Sequence, residues 1–194
     1  LLAAFDVTEA LDSVLVTLAA LAGLANETVV RGPGWRFFDI GRRLERALLV
    51  LGLVEALFEP AVDDEALAMR GEIALAANES LVAYRRRHRT DVTLDALGDL
   101  LLADRDNPRS VRFQLDSLAL DLHDLPDRSA RRAQLAAVRS AQHRLEARLP
   151  LGSGAGHDGL GPVGALVLAV RQPVLEVGDL VPRGWFTERP RRVR

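Results

Sequence analysis

Apolar residues recur along most of this chain at alternating steps of three and four, the spacing that puts side chains on one face of an α-helix. Val7, Leu11, Val14, Leu15, Leu18 and Leu21 trace the first such stripe. Asp6-Val7-Thr8-Glu9 reads as its capping box, with Asp6 accepting from the first turn and Glu9 reaching back. The helix is expected to end near Asn26 to Thr28, and Arg31-Gly32-Pro33-Gly34 predicts a turn. A second helix is predicted from about Trp35 to Phe58, with Phe37, Ile40, Leu44, Leu48, Leu51 and Val54 or Glu55 on one face. Beyond Ala47 it is apolar almost all round, which predicts a central place in a bundle.

Pro60 is expected to stop that helix. Asp63 or Asp64 then caps a third, running through Leu67, Ile73, Leu81 and Val82 to about Tyr84. Thr93 caps a short fourth helix through Leu94, Leu97, Leu100 and Leu101. Asn107 caps a fifth, with Pro108 at its first position and Val111, Leu115, Leu118, Leu122 and Leu125 as its core stripe. Pro126 separates it from a sixth, Ser129 to Leu149, and a Gly-rich loop spans Leu151 to Pro162. Val163 to Gln172 reads as helical. Pro173 is expected to end or kink that helix, Val174 to Val181 to continue it, and Pro182 with Gly184 to close the regular structure. The fold class is all-α, an antiparallel helical bundle of about six to eight helices, because mostly short loops favour antiparallel neighbours. A single domain is expected over 1–187, followed by a basic tail at 188–194.

Composition narrows the function. Hydrophobic residues make up 48% and charged residues 27% of 194, which argues against disorder. The net charge of −2 argues against a nucleic-acid binder. Every basic residue other than histidine is arginine. With no cysteine, neither a disulfide framework nor a thiolate nucleophile can form, which fits a cytoplasmic setting. No secretory signal is evident, and the apolar stretch around Val14 to Ala25 is read as too short to span a membrane. The chain opens on Leu1 without methionine and is read as part of a longer protein.

The densest chemistry lies in Gly34 to Ala47. Asp39, Arg42, Arg43 and Arg46 fall on one helical side, with Glu45 beside them. Guanidinium groups bind phosphate and carboxylate bidentately, so an anion site is one reading. An ion network in which Asp39 meets Arg42 or Arg43 is a second, favoured because a site draws charges from several elements, and a purely solvated flank is the third. In Asp104 to Ser110 the Gly and distal Glu of a calcium loop are missing, and a helix start fits better; Arg109 and Gln114 could still face an anion there. The run Tyr84-Arg85-Arg86-Arg87-His88-Arg89 could bind nucleic acid or an acidic partner, but a solvated helix end is the favoured reading because the surrounding sequence is acidic; Tyr84, Arg85 and Arg87, with Asp104 and Asn107, stand as candidates for binding an anion or a partner. Gly152-Ser153-Gly154-Ala155-Gly156 has neither the preceding strand nor the following Lys of a phosphate loop. His88, His123, His143 and His157 show no ligand spacing, and nothing marks Ser110 or Ser153 as a nucleophile. No metal or cofactor is called for. Trp35, Trp185 and Phe186 are assigned to core or lid packing.

These charged segments resemble the signatures of the alpha-E domain family. Trp35, Arg36, Asp39, Gly41, Arg42, Arg43, Glu45 and Arg46 stand where its Trp-Arg and Gly-Arg-Arg-x-Glu-Arg signature falls. Tyr84, Arg85 and Arg87 match its Tyr-Arg-Arg segment, with His88 where another aromatic is common. Asp104, Asn107, Pro108, Arg109 and Ser110 match Asp-x-x-Asn-Pro-Arg-Ser, and Trp185-Phe186 resembles its terminal aromatic pair. Pro182 and Gly184 depart from the family's continuous last helix, and the usual leading helices are missing, so the resemblance is to the C-terminal part of the domain.

The resemblance implies a helical domain associated with a circularly permuted ATP-grasp domain or protein and with transglutaminase-like proteins. The implied role is an accessory module of a peptide- or amide-modifying system, holding substrate or partner. An enzyme drawing acid–base residues from Asp39, Glu45 and Asp104, and a purely structural oligomerisation domain, are the alternatives. Two structural expectations follow. Arg43, Arg46, Asp104 and Arg109 should lie near one another, since charges bordering apolar stripes must be paired. The apolar first helix should be exposed unless it is covered by a homodimer or a partner; neither nucleic acid nor membrane is expected as one.

Overall fold

The computed structural model describes residues 7–58, 64–89, 91–149, 151 and 162–186. Among these the chain forms α1 (Val7–Thr28), α2 (Pro33–Phe58), α3 (Asp64–Ala77), α4 (Leu81–Arg87), α5 (Leu94–Gly98), α6 (Val111–His123), α7 (Arg128–Glu146) and α8 (Pro162–Trp185). A π-helical turn, Asp99–Ala103, follows α5, and the described residues contain no strand. The protein is all-α. It divides into two compact units, residues 1–35 and 36–194.

In the first unit α1 runs for 22 residues with none of them buried. Val7, Leu11, Val14, Leu15, Leu18, Leu21 and Leu24 are all exposed. Thr17 and Thr28 turn their hydroxyls back onto the carbonyls of Ser13 and Leu24, at 2.8 and 2.7 Å. That masks polar groups along the helix. Its best 18-residue window has a mean hydropathy of 1.6, so by length and composition alone α1 is long and apolar enough to cross a membrane. This corrects the shorter reading from the sequence, which counts only the stretch around Val14 to Ala25. After Thr28 the Arg31 guanidinium stacks 3.8 Å over the Trp35 ring. Asp6, the expected cap, lies outside the described residues.

The second unit is organised by the four long helices α2, α6, α7 and α8. Arg36 of α2 meets Asp121 of α6 while Arg43 meets Gln114, so these two run antiparallel. Arg112 and Asp116 of α6 meet Glu146 and Gln142 of α7 in the same reversed sense. Gln134 and Arg144 of α7 reach the carbonyls of Leu180 and Ala169 of α8. Glu55 pairs with Arg171 at 2.6 Å and Phe37 packs edge-on against Trp185, which reverses α8 against α2. The result is an up–down arrangement. Its core is built from Ile40, Leu51 and Val54 of α2, Leu115 and Leu118 of α6, Val138 of α7 and the row Val163, Val167, Val170, Val174, Val177 along α8.

Several boundaries differ from the sequence reading, each for a local reason. Pro33 is the first residue of α2 rather than part of a turn, because its fixed φ and missing N–H suit the first helical position. The third predicted helix is two. After Ala77 the chain closes a Schellman motif: Glu79 takes φ 50°, Ser80 N–H donates to Leu75 O at 2.7 Å and Glu79 N–H to Ala76 O at 3.0 Å. Ile73 and Val82 on these two helices are exposed, and Ala74, Leu75 and Tyr84 are buried. Thr93 does cap α5, accepting from Ala96 N–H at 3.3 Å. The π-turn after it brings Leu100, Leu101 and Leu102 inside together, since its wider turn separates successive side chains by a smaller angle.

Helix α6 is capped by Ser110, whose Oγ accepts from Phe113 N–H at 3.0 Å, and not by Asn107. Pro173, Pro182 and Gly184 do not break α8, which continues to Trp185. Pro173 has no N–H to give the carbonyl of Ala169 four residues back. The Arg144 guanidinium of α7 donates to that carbonyl at 3.2 Å. Pro60, Asp63, the glycine loop at 152–156 and the tail at 188–194 lie outside the described residues.

Gly71 marks the tightest packing on α3. A Cβ there would stand 2.3 Å from Val92 Cγ1 and 3.1 Å from Leu97 Cδ1. A Gly to Ala change in a helix ordinarily gains up to about 1 kcal/mol, but overpacking a filled contact costs about 1–3 kcal/mol. Gly71→Ala should therefore lower the urea midpoint, and Val92→Ala added to it should recover part of the loss. A raised midpoint in the single variant would contradict the packing described.

Candidate functional site

The charges of α2 are sorted by one buried carboxylate. Asp39 lies on the helix side that carries Ile40 and Leu44 inward, and is only 4% exposed. One oxygen accepts from Arg42 Nε at 3.0 Å, the other from Arg43 Nε at 3.0 Å. Three- and four-residue steps on a helix bring these groups together. Burial works against ionisation of Asp39, but hydrogen bonds from Arg42 and Asp121 and the charges of Arg43 and Arg42 outweigh it and hold the carboxylate below its ordinary range.

Helix α6 supplies the opposite wall. Gln114 and Asp121 stand seven residues apart, two helical turns on the side of buried Leu118, and both are buried. Arg43 donates to Gln114 Oε1 at 3.3 Å, and Gln114 in turn donates to the carbonyl of Pro108. Arg36 bridges Asp121 at 3.1 Å and Asp124 at 2.7 Å. Asp121 also shares a hydrogen bond with Asp39. Burial first, then that bond and the charge of Asp39, push Asp121 up to about 6 against the pull of Arg43 and Arg36. The two carboxyls titrate as a pair, and the proton resides on the Asp121 side.

The Asp104–Ser110 segment is a built turn. Asp104 Oδ1 accepts from the backbone N–H groups of Asp106 and Asn107 at 2.7 and 3.1 Å, and Oδ2 meets Arg87 at 2.5 Å. Burial opposes its charge, yet these donors hold Asp104 below the ordinary carboxylate range. Asn107 donates to Leu100 O at 3.0 Å and accepts from Arg109 N–H at 3.0 Å. Asn78 donates to Arg109 O at 3.0 Å, which ties the end of α3 to the same turn. Tyr84 is buried, its hydroxyl donating to Asp91 O and accepting from Thr93 N–H, both at 3.3 Å. Arg85 pairs with Glu72 on the surface.

Arg46 stands apart. It makes no ion pair or side-chain hydrogen bond among the described residues. Burial, then the like charges of Arg42, Arg109 and Arg43, pull its pKa down, and Asp39 acts the other way. Beside it opens a cavity of about 290 Å³, where Arg46, Arg109 and Asn78 meet Leu49, Val50 and Leu53. Arg109 is already paired with Glu79. A half-buried guanidinium beside other cations and facing an open cavity has the charge and the access to accept an anion.

The structure thus gathers Asp39, Arg42 and Arg43 in one network and Arg46 with Arg109 at one cavity. Asp104 does not join them. It is held by Arg87, because its oxygens are consumed by the turn it builds. Glu45 is exposed, and Tyr84, Arg85, Arg87 and Asn107 belong to the turn or the surface rather than to the cavity. Asp121 and Asn78 are not among the residues the sequence singles out. Gln114 and Asp121 on the Leu118 face are the legible sign, since buried polar side chains on a core stripe need partners from another helix. Among the described residues no group of three or more His, Cys, Asp or Glu is placed to hold a metal.

The Alpha-E family model, described as "a predicted alpha-helical domain with a conserved ER motif", matches residues 2–186. Glu45-Arg46 is the Glu-Arg dipeptide inside that span. Uncharacterized proteins of Mycobacterium bovis and Mycobacterium tuberculosis are each 39% identical over 115 residues. That stretch is 59% of this chain and 13% of each relative, so the chain spans only a small part of the curated relatives it matches. No solved structure matches it significantly.

The Asp39–Asp121 pair sets a pH signature. An acid with a raised folded-state pKa binds a proton that the unfolded chain has released, so stability falls as pH rises from the ordinary carboxylate range to about 6. Asp39 has the opposite sign: its contribution is present above the ordinary range and is lost as pH falls below it. Denaturant titrations should show stability dropping by about 1–3 kcal/mol between about pH 4 and pH 6. Asp121→Asn should flatten that window. An unchanged slope in the variant would show that the proton is not shared there.

Proposed function

The chain belongs to the Alpha-E family, and we propose that within it this helical domain is an accessory module that holds an anionic group of a substrate or partner in an ATP-grasp-linked peptide- or amide-modifying system. The observation that carries the reading is Arg46, a half-buried cation with no counter-ion among the described residues, facing a cavity it shares with Arg109. Burying a charge without a partner is unfavourable, so its retention at that position makes sense where a ligand completes the pair. That the aligned part is a small fraction of each relative supports a module working beside other domains.

The enzyme alternative has less to draw on. A general acid or base needs a carboxyl within reach of substrate. Both oxygens of Asp39 are occupied by arginines, and those of Asp104 by backbone donors and Arg87. The exposed apolar face of α1 favours a second role in association, with a two-fold dimer as its default form.

Calorimetric titration at low salt should detect both acetate and inorganic phosphate, with binding weakened at least about tenfold in Arg46→Ala. The thermal midpoint of that variant should be no lower than the parent's, because the substitution breaks no pair. Absence of binding by acetate, by phosphate and by carboxylates with a longer body would remove the holding role. In parallel, ATP with magnesium and amino acids should give no turnover by the chain alone. Turnover that vanishes in Arg46→Ala would transfer the assignment to an enzyme.

A further inference from the structure

We propose that the cavity beside Arg46 takes a carboxylate carried on an aliphatic body, the chemistry of a peptide or acyl-amino-acid end with an apolar side chain. The inference rests on the anion-holding reading above and adds the ligand class. Three features of the cavity carry it. The first is its charge. Arg46 offers one uncompensated guanidinium, whereas Arg109 is matched by Glu79. One free fork suits a monoanion held bidentately, and Glu79 would repel a second negative charge nearby.

The second feature is the wall. Leu49, Val50, Leu53, Ala77 and Pro108 form most of the lining, and Leu49 is 71% exposed although it stands next to the core residue Val50. An inorganic anion would neutralise Arg46 and leave the exposed Leu49, Ala77 and Pro108 in water. An aliphatic body attached to the carboxylate would cover them at the same time, and each methylene removed from water strengthens binding about fourfold. The third feature is size. At about 290 Å³ the space lies at the lower end of ligand pockets. It holds a side chain and a carboxylate.

Asn78 fixes the orientation. Its amide already donates to Arg109 O, so the carboxamide is held at the rim between the end of α3 and the Asn107–Ser110 turn. Its side-chain oxygen accepts from no donor among the described residues, and it suits the amide N–H that precedes a carboxylate in an acylated amino acid. A free carboxylic acid lacks that N–H and forgoes the contact.

The experiment titrates the chain with N-acetyl-L-leucine, N-acetyl-L-leucinamide, acetate and inorganic phosphate. N-acetyl-L-leucine should bind at least about tenfold tighter than acetate and than its own amide. Arg46→Ala should remove that preference. Leu49→Ser, at an exposed position that leaves the fold intact, should weaken N-acetyl-L-leucine several-fold and leave acetate unchanged. Equal binding of N-acetyl-L-leucine and acetate, or of the acid and its amide, overturns the ligand class while leaving an anion site standing. Failure of all four probes overturns the anion-holding reading itself.

Discussion

A carboxylate taken out of water has to be satisfied by cations or donors, and in the second unit that demand falls on Asp39. Its two oxygens are divided between Arg42 and Arg43, one each, across one turn of α2. Arg36 is drawn to α6 by Asp121 and Asp124. The allocation accounts for the remaining charge on the helix. Arg46 comes next on the same side, after the local negative charge has been used. The ordering of acids and arginines along one helix therefore creates both a structural junction and a residual positive centre. They are two outcomes of the same shortage.

The junction also places the residual centre next to a turn from a distant part of the chain. Arg43 reaches Gln114, and Gln114 reaches the carbonyl of Pro108. This relay fixes the start of α6 against α2. Asp104 and Asn107 shape the turn from inside by accepting and donating to backbone groups, and Ser110 begins the helix. The Schellman end of α3 closes the other side through Asn78. The most polar motif of the sequence thus serves mainly to hold a backbone in place, and Arg109 and Arg46 are the side chains left facing space.

The long apolar stripes of α2, α6 and α8 announce an all-α bundle in the sequence itself, because a repeat near 3.6 sustained over many residues fits no strand. The pairing of Asp39 with Arg42 or Arg43 follows from spacing alone. What the sequence hides depends on contacts between distant segments. Asp104 reads as a neighbour of Arg43 because both border apolar stripes, but nothing local reveals that Arg87 reaches it first. The division after Ala77 is hidden because Glu79 adopts a left-handed conformation that glycine or asparagine would have advertised. Asp121 and Gln114 mark the core stripe of α6 as one that needs a polar partner, but nothing local says that the partners are Asp39 and Arg43 of α2.

Helix α8 runs through Pro173, and a residue of another helix takes up the backbone acceptor the proline leaves over. Proline leaves the carbonyl of Ala169 without its backbone donor, and Arg144 of α7 takes the place. The two positions are thereby coupled. While Pro173 is present, losing Arg144 leaves that carbonyl to solvent, because the contact lies at the surface; with an N–H at 173 the carbonyl would be matched within α8 and Arg144 would keep no partner there. The proline thus ties α7 to α8 by exporting a backbone acceptor that an unbroken helix keeps for itself.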